Sequence, residues 1–151
     1  MIYANKLKNI REEHNLKLRE IDRILNFELD TYSQFEREKT ILPIKHLNVL
    51  CNYFNISIDY VFSFSNTKIY PKYIYEINRK KSGDRLKELR KEHKLTQKHL
   101  AEIIKSDNST ISKYEKGINI ISTPFLYDIC KKFKISADYL LGKIDEPKYL
   151  K

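Results

Sequence analysis

Tryptophan is absent from this chain of 151 residues, glycine occurs three times (Gly83, Gly117 and Gly142), and proline four times. Tight hairpins draw on glycine, asparagine-glycine and proline turns. Their scarcity, set against plentiful Lys, Glu and Leu, argues for helices over a sheet. No apolar run is long enough to span a bilayer and no secretory leader is visible, so a cytoplasmic protein with no membrane role is expected. The two cysteines, Cys51 and Cys130, lie inside apolar helical patterns. They are expected as small buried hydrophobes in separate cores, not as a disulfide. Patterns that carry chemistry are also missing: no carboxylate pair, Cys/His pair, glycine-rich phosphate loop or metal-ligand spacing stands out. The expectation is therefore of a protein that is not an enzyme and holds neither metal nor cofactor.

What is present is positive charge. Net charge is +9, which in a chain this small points to an anionic partner, most often nucleic acid. The charge is unevenly placed. Residues 1–62 hold 9 basic and 9 acidic side chains, residues 63–83 hold 5 and 1, and residues 84–151 hold 15 and 10. Phosphate attraction is therefore expected from the second half of the chain.

The chain is a duplication. Shifted by 79 residues, Leu7–Phe62 falls on Leu86–Leu141 without a gap, with 18 of 56 positions identical. Arg11/Arg90, His14/His93, Leu16/Leu95, Thr31/Thr110, Ser33/Ser112, Glu36/Glu115, Cys51/Cys130 and Phe54/Phe133 are among them, as are Asp59-Tyr60 and Asp138-Tyr139. Two units of about 65 residues each are near the lower size limit for an independent core. The expected division is 1–65, a basic linker 66–83, and 84–151.

Each unit reads as five short helices, making an all-α protein. In the second, helix 1 is expected over Asp84–His93, anchored by Leu86 and Leu89. Helix 2 follows Thr96, a hydroxyl able to cap exposed N–H groups, and carries Leu100, Ile103 and Ile104 at helical spacing. Helix 3 follows Asp107, a cap whose charge suits the helix dipole, and ends at Gly117. Helix 4 covers Pro124–Phe133, and Ser136 caps the last. The short connection from helix 2 to helix 3 fits a helix-turn-helix. His14 and His93 end their helices exposed, with no second ligand at metal spacing.

The stretch Leu95-Thr96-Gln97-x-x-Leu100-Ala101-x-x-Ile104, followed by Ser109-Thr110-Ile111-Ser112-x-Tyr114-Glu115-x-Gly117, resembles the phage Cro/CI repressor-like (XRE) helix-turn-helix family. The ending Ile135 to Gly142 is similar to the end of that family's domain. The resemblance covers nearly all of Asp84–Gly142 and extends more weakly to Lys6–Phe62. It implies two tandem five-helix lambda-repressor-like domains, and double-stranded DNA as the partner. On helix 3, Asn108, Ser109, Ser112 and Lys113 lie opposite Ile111 and Tyr114 and make a polar face sized for the major groove. The resemblance further implies a phosphate contact for Gln97, and backbone contacts for Thr110, Lys116 and Asn119. It also implies a partly buried salt bridge between Arg90 and Glu115, and its copy between Arg11 and Glu36.

The first unit departs from that pattern where DNA contact is expected. Leu18 stands for Gln97, Lys17 for Thr96, Asp22 for Ala101 and Glu38 for Gly117, and Glu28 and Asp30 place acids on its helix 3. A kept fold with a reassigned face is the expectation. Leu18, Phe27, Leu29 and Tyr32 are candidates for an apolar contact surface, or for packing within their own unit. Two forms of the linker stand open: a short helix opened by Pro71 and running through Lys81, or an extended arm. Its Arg79-Lys80-Lys81 run either touches DNA backbone or is a solvated joint. The tail after Gly142, with Lys143, Lys148 and Lys151, is expected to fray.

The function expected is a sequence-specific transcriptional regulator, a repressor that occupies an operator as a homodimer through the second unit, with the first unit a possible dimer contact. One chain using both units on an asymmetric site is a second version. The alternative from another class is an interaction protein, an antitoxin or an inhibitor of a defence nuclease. It would hold its protein partner through the first unit and use its helix-turn-helix for autoregulation.

Overall fold

The computed structural model describes residues 2–151; Met1, where the first unit was expected to open, lies outside them. The chain forms two compact units, Met1–Tyr70 and Pro71–Lys151. Unit 1 holds α1 (Ile2–Glu13), α2 (Leu18–Ile24), α3 (Thr31–Glu36), α4 (Ile44–Phe54) and α5 (Ile58–Val61). Unit 2 holds α6 (Arg79–Glu92), α7 (Gln97–Ile103), α8 (Asn108–Glu115), α9 (Thr123–Phe133) and α10 (Ala137–Leu140). Among the described residues there is no strand, only an isolated bridge between Ile135 and Tyr149. No helix among them is long and apolar enough to cross a membrane.

Each unit closes on its own core. Leu7, Ile21, Leu47, Leu50 and Ile58 are wholly buried in unit 1, and Leu100, Ile111, Leu126, Ile129 and Leu140 in unit 2. Cys51 and Cys130 are buried free thiols, one per core. The duplication is carried in the backbone as well. Five residues with positive φ in unit 1 (Asn15, Asn26, Glu38, Asn55, Ser63) recur 79 residues later as Lys94, Lys105, Gly117, Lys134 and Gly142. Each lies just past the end of a helix. Asn tolerates that left-handed turn because its short amide bonds locally, and Glu38 adopts it where Gly117 needs no side-chain accommodation. Asp30 also has positive φ, and its counterpart Ser109 does not.

The first and third helices of each unit are tied by a fork. Arg11 Nε and Nη2 donate to the two carboxylate oxygens of Glu36 at 2.8 and 2.9 Å, and Nη1 donates to the Leu16 carbonyl at 2.9 Å. Arg90 repeats this with Glu115 at 2.7 and 2.9 Å and Leu95 at 3.0 Å. The side chains are 11% and 6% exposed in the first pair, 12% and 4% in the second. A planar guanidinium can serve three elements at once because its donors point in fixed directions.

Several boundaries differ from the sequence expectation. Helix α6 begins at Arg79, five residues before Asp84, because the Asn78 side chain accepts from the Lys81 N–H at 3.0 Å and caps it there. Pro71 opens no helix; residues 71–78 are non-helical. Within the stretch 66–83, residues 67 and 68 pair with Ser57, whose N–H donates to the Lys68 carbonyl at 2.5 Å and whose hydroxyl donates to the Thr67 carbonyl at 2.9 Å. Residues 74 and 78 pair with unit 2, through Lys143 and Leu141. The tail does not fray. Lys143 and Ile144 are buried, Ser136 N–H donates to the Lys148 carbonyl at 2.8 Å and Leu150 N–H to the Lys134 carbonyl at 2.7 Å. Lys148 also reaches Glu92 at 2.6 Å. Backbone pairing of this kind supplies the anchor that composition alone does not reveal.

Arg90→Ala should cost roughly 3–5 kcal/mol of stability, since it strands the buried Glu115 carboxylate. Urea denaturation would show a lowered midpoint with an unchanged slope; a cost below about 1 kcal/mol would mean the fork is not a buried pair in solution.

Candidate nucleic-acid interface

In unit 2, two capped helices present the polar face. The Thr96 hydroxyl accepts from the His99 N–H at 3.1 Å and starts α7. The Asp107 carboxylate accepts from the Thr110 N–H at 2.7 Å and starts α8. Ile111 and Tyr114 pack inward, which leaves Asn108, Ser109 and Lys113 exposed, with Thr110 and Ser112 half-buried between. Lys116 and Asn119, in the turn that Gly117 (φ +72°) closes, are exposed. All eight residues expected to meet DNA thus reach the surface of α7, α8 and the turn after it, wholly or in part.

Gln97 has a second engagement. Its amide nitrogen donates to Glu115 Oε1 at 3.3 Å, joining the start of α7 to the fork. The same amide retains a carbonyl oxygen and a further N–H for an external ligand. Helix α6 braces the far end of α8. A Cβ at Gly83 would lie 2.5 Å from the Tyr114 carbonyl oxygen and 2.6 Å from that of Glu115, so the two helices meet at backbone contact. Arg79 donates to the Ile118 carbonyl at 3.2 Å. That bond ties the exposed Arg79-Lys80 pair to the turn after α8, a contact between residues too far apart in the chain for local patterns to reveal.

Unit 1 keeps the frame and changes the face. Helix α3 starts at Thr31, whereas α8 starts two residues earlier in register, at the counterpart of Leu29. Leu29 and Asp30, which match Asn108 and Ser109, are therefore not helical, and Asp30 adopts the left-handed conformation (φ 69°). The cause lies in α2. Asp22, standing where unit 2 has Ala101, is 2% exposed and accepts from the Asp30 N–H at 3.0 Å and the Tyr32 N–H at 2.8 Å. A carboxylate from the neighbouring helix thus caps α3 in place of a local residue. In the sequence Asp22 reads as a lost small residue; only the fold reveals it as a cap.

The apolar candidates of unit 1 divide. Tyr32 is buried, and its hydroxyl pKa is pushed well up by that burial and then by Glu36. Leu18 and Phe27 are half-buried, and Leu29 is 70% exposed. Phe27 and Thr31, which flank Leu29 at two residues' distance in the chain, line a groove of about 350 Å³ together with Gln34, Phe35, Thr40, Ile41, Leu42 and Pro43. His46 packs edge-on against Phe27 with ring centres 4.5 Å apart; burial, and then Lys45, hold its pKa below the usual histidine range. Among the described residues no three His, Cys, Asp or Glu side chains are grouped to hold a metal ion.

Comparison with known proteins matches a family model, described as a helix-turn-helix domain, to residues 4–64 and again to residues 83–146. The chain is similar to the antitoxin PezA of Streptococcus pneumoniae serotype 4, 38% identical over 61 residues, which is 40% of this chain and 39% of that protein. It is also similar to the HTH-type transcriptional regulator ImmR of Bacillus subtilis strain 168, 39% identical over 61 residues, 40% of this chain and 48% of the relative. The chain thus spans less than half the length of these two relatives. Among solved structures, the P22 c2 repressor protein in complex with a synthetic operator is 28% identical, covering 42% of this chain and 96% of that one, with a TM-score of 0.40.

Two outcomes test the caps. Asp22→Ala should cost about 2 kcal/mol, because two N–H groups at the start of α3 lose a charged acceptor; chemical denaturation would measure it, and a neutral result would mean α3 recaps on Asp30. The Asp107 carboxyl is held below the ordinary carboxylate range, chiefly by the Thr110 N–H. A depressed folded pKa stabilises above the unfolded value, about 3.9, and that contribution is lost as pH falls through the folded one. The melting temperature of Asp107→Asn should therefore lie below wild type at about pH 5, with the gap closing toward about pH 2.

Proposed function

The chain belongs to the helix-turn-helix domain family in both of its units, and we propose that it is a sequence-specific DNA-binding transcriptional regulator that reads its site through unit 2. One observation carries this reading. The family's fold in unit 2 holds Asn108, Ser109 and Lys113 exposed on a capped α8 whose other side is locked into the core. Asn108 can pair with an adenine edge at two points, Lys113 with a guanine edge or a phosphate, and Ser109 with several bases. Thr110, Ser112, Lys116, Asn119 and Gln97 flank that face and suit the sugar-phosphate backbone. The positive excess of the second half of the chain supplies the sequence-independent attraction.

Acting as a repressor, the chain would occupy an operator and exclude polymerase. One reading helix gives modest affinity, so a two-fold dimer on a palindromic site fits best. Unit 1, with the first turn of its reading helix unwound, does not read bases in this scheme. Neither catalysis nor a cofactor has a part in it, and the cytoplasm is the compartment where such a regulator meets its DNA. The similarity to the antitoxin PezA favours one second reading. In it the chain restrains a protein partner through unit 1 and binds its own promoter through unit 2.

Selection of bound duplexes from a random library by the whole chain tests the proposal. A palindrome should be enriched, and lost with Asn108→Ala/Lys113→Ala, each side chain being worth about 1–3 kcal/mol of discrimination. Affinity for the enriched site should fall steeply with salt. No enrichment would reject DNA reading through unit 2 in both schemes and leave only the restraint of a protein partner through unit 1.

A further inference from the structure

We infer that unit 1 pairs with unit 1 of a second copy of this chain through the face that in unit 2 reads DNA, with each Leu29 seated in the other copy's groove. The inference deepens the regulator reading and rests on it for the need of a two-fold partner. It begins from a substitution pattern on one face. Where unit 2 presents Ser106, Asn108 and Lys113, unit 1 presents Phe27, Leu29 and Gln34. Leu29 is 70% exposed and Ile41 56%; Leu29 lies between Phe27 and Thr31 in the chain, and both of these line the groove that buried Phe35 and exposed Ile41 share. Water gains by losing both.

Knob and hole on one face are the requirement of a two-fold contact, in which each surface meets its own copy. The charges agree. Exposed Glu28 and Asp30 lie at the N-terminal end of α3, and exposed Arg37 and Lys39 at its C-terminal end. A two-fold axis across the face sets the two α3 helices antiparallel. The acidic end of each then meets the basic end of the other. A basic ligand would meet repulsion at one end and an acidic one at the other; a second copy satisfies both. Unit 1 also carries no net charge through residue 62, so two copies approach without the repulsion that two basic units would feel.

The test uses the whole chain, without DNA, in sedimentation equilibrium near physiological salt. Wild type should move from the 18.1 kDa monomer to twice that mass between about 1 and about 100 µM. Leu29→Asp should weaken the dimer by at least about tenfold. Glu28→Lys and Lys39→Glu should each weaken it about threefold, and the double variant should recover it. These side chains are exposed, so urea midpoints that are unchanged at concentrations where the chain is monomeric would separate a lost interface from a lost fold. A chain that stays monomeric throughout overturns the inference, as does a dimer indifferent to Leu29→Asp. Capture of another protein through Leu29 by a monomeric chain overturns it too. The duplex selection stands apart: a monomer that still enriches DNA leaves the regulator reading intact and rejects the pairing alone.

Discussion

Each unit hangs on one guanidinium. Arg11 and Arg90 each grip both carboxylate oxygens of a glutamate on the third helix and a carbonyl just ahead of the second helix. Three elements are thereby fixed around one planar group, in a site where water contributes little. Both partners must be present, since either alone would be a buried charge without compensation. What the third helix presents to the outside is decided elsewhere, on its opposite face. The fork holds that helix in place whichever partner the face has come to meet.

That separation explains how one duplicated frame supports two surfaces. In unit 2 the cap of α8 is local, from Asp107, and the first turn is helical, so Asn108 and Ser109 project as a regular helix demands. In unit 1 the cap comes from Asp22 on α2, the helix starts two residues later in register, and Leu29 is left standing outward on non-helical backbone. A single acid at the position of Ala101 thus accompanies the loss of the first helical turn that α8 keeps. Around it, serine and asparagine give way to phenylalanine and leucine, and the face gains apolar surface between charged ends. The turn geometry elsewhere is retained, down to the left-handed residue after each helix.

Much of this was legible in the chain itself. The 79-residue register, the helix count, the caps at Thr96 and Asp107 and the stop at Gly117 follow from local rules, because capping and helix termination involve residues only a few positions apart. The polar face of α8 was legible for the same reason, once Ile111 and Tyr114 were placed inward. Less local features were not. The start of α6 at Arg79 depends on Asn78 capping a stretch that composition marks only as basic. The tail is held by pairing of Ser136 with Lys148 and Lys134 with Leu150, and Lys143, a residue type almost never fully buried, lies inside beside Tyr73.

The sequence by itself determined that the protein is two copies of one helical frame, that its excess of positive charge lies outside the first copy, and which residues of the second copy face outward. These are matters of periodicity, count and short-range hydrogen bonding. Only the tertiary structure decided what Asp22 is for, how far α3 extends, and that Leu29 stands exposed while Tyr32 does not. Those outcomes turn on groups eight to ten residues apart meeting across a helix crossing, where a carboxylate must find donors and a ring must find either water or the core.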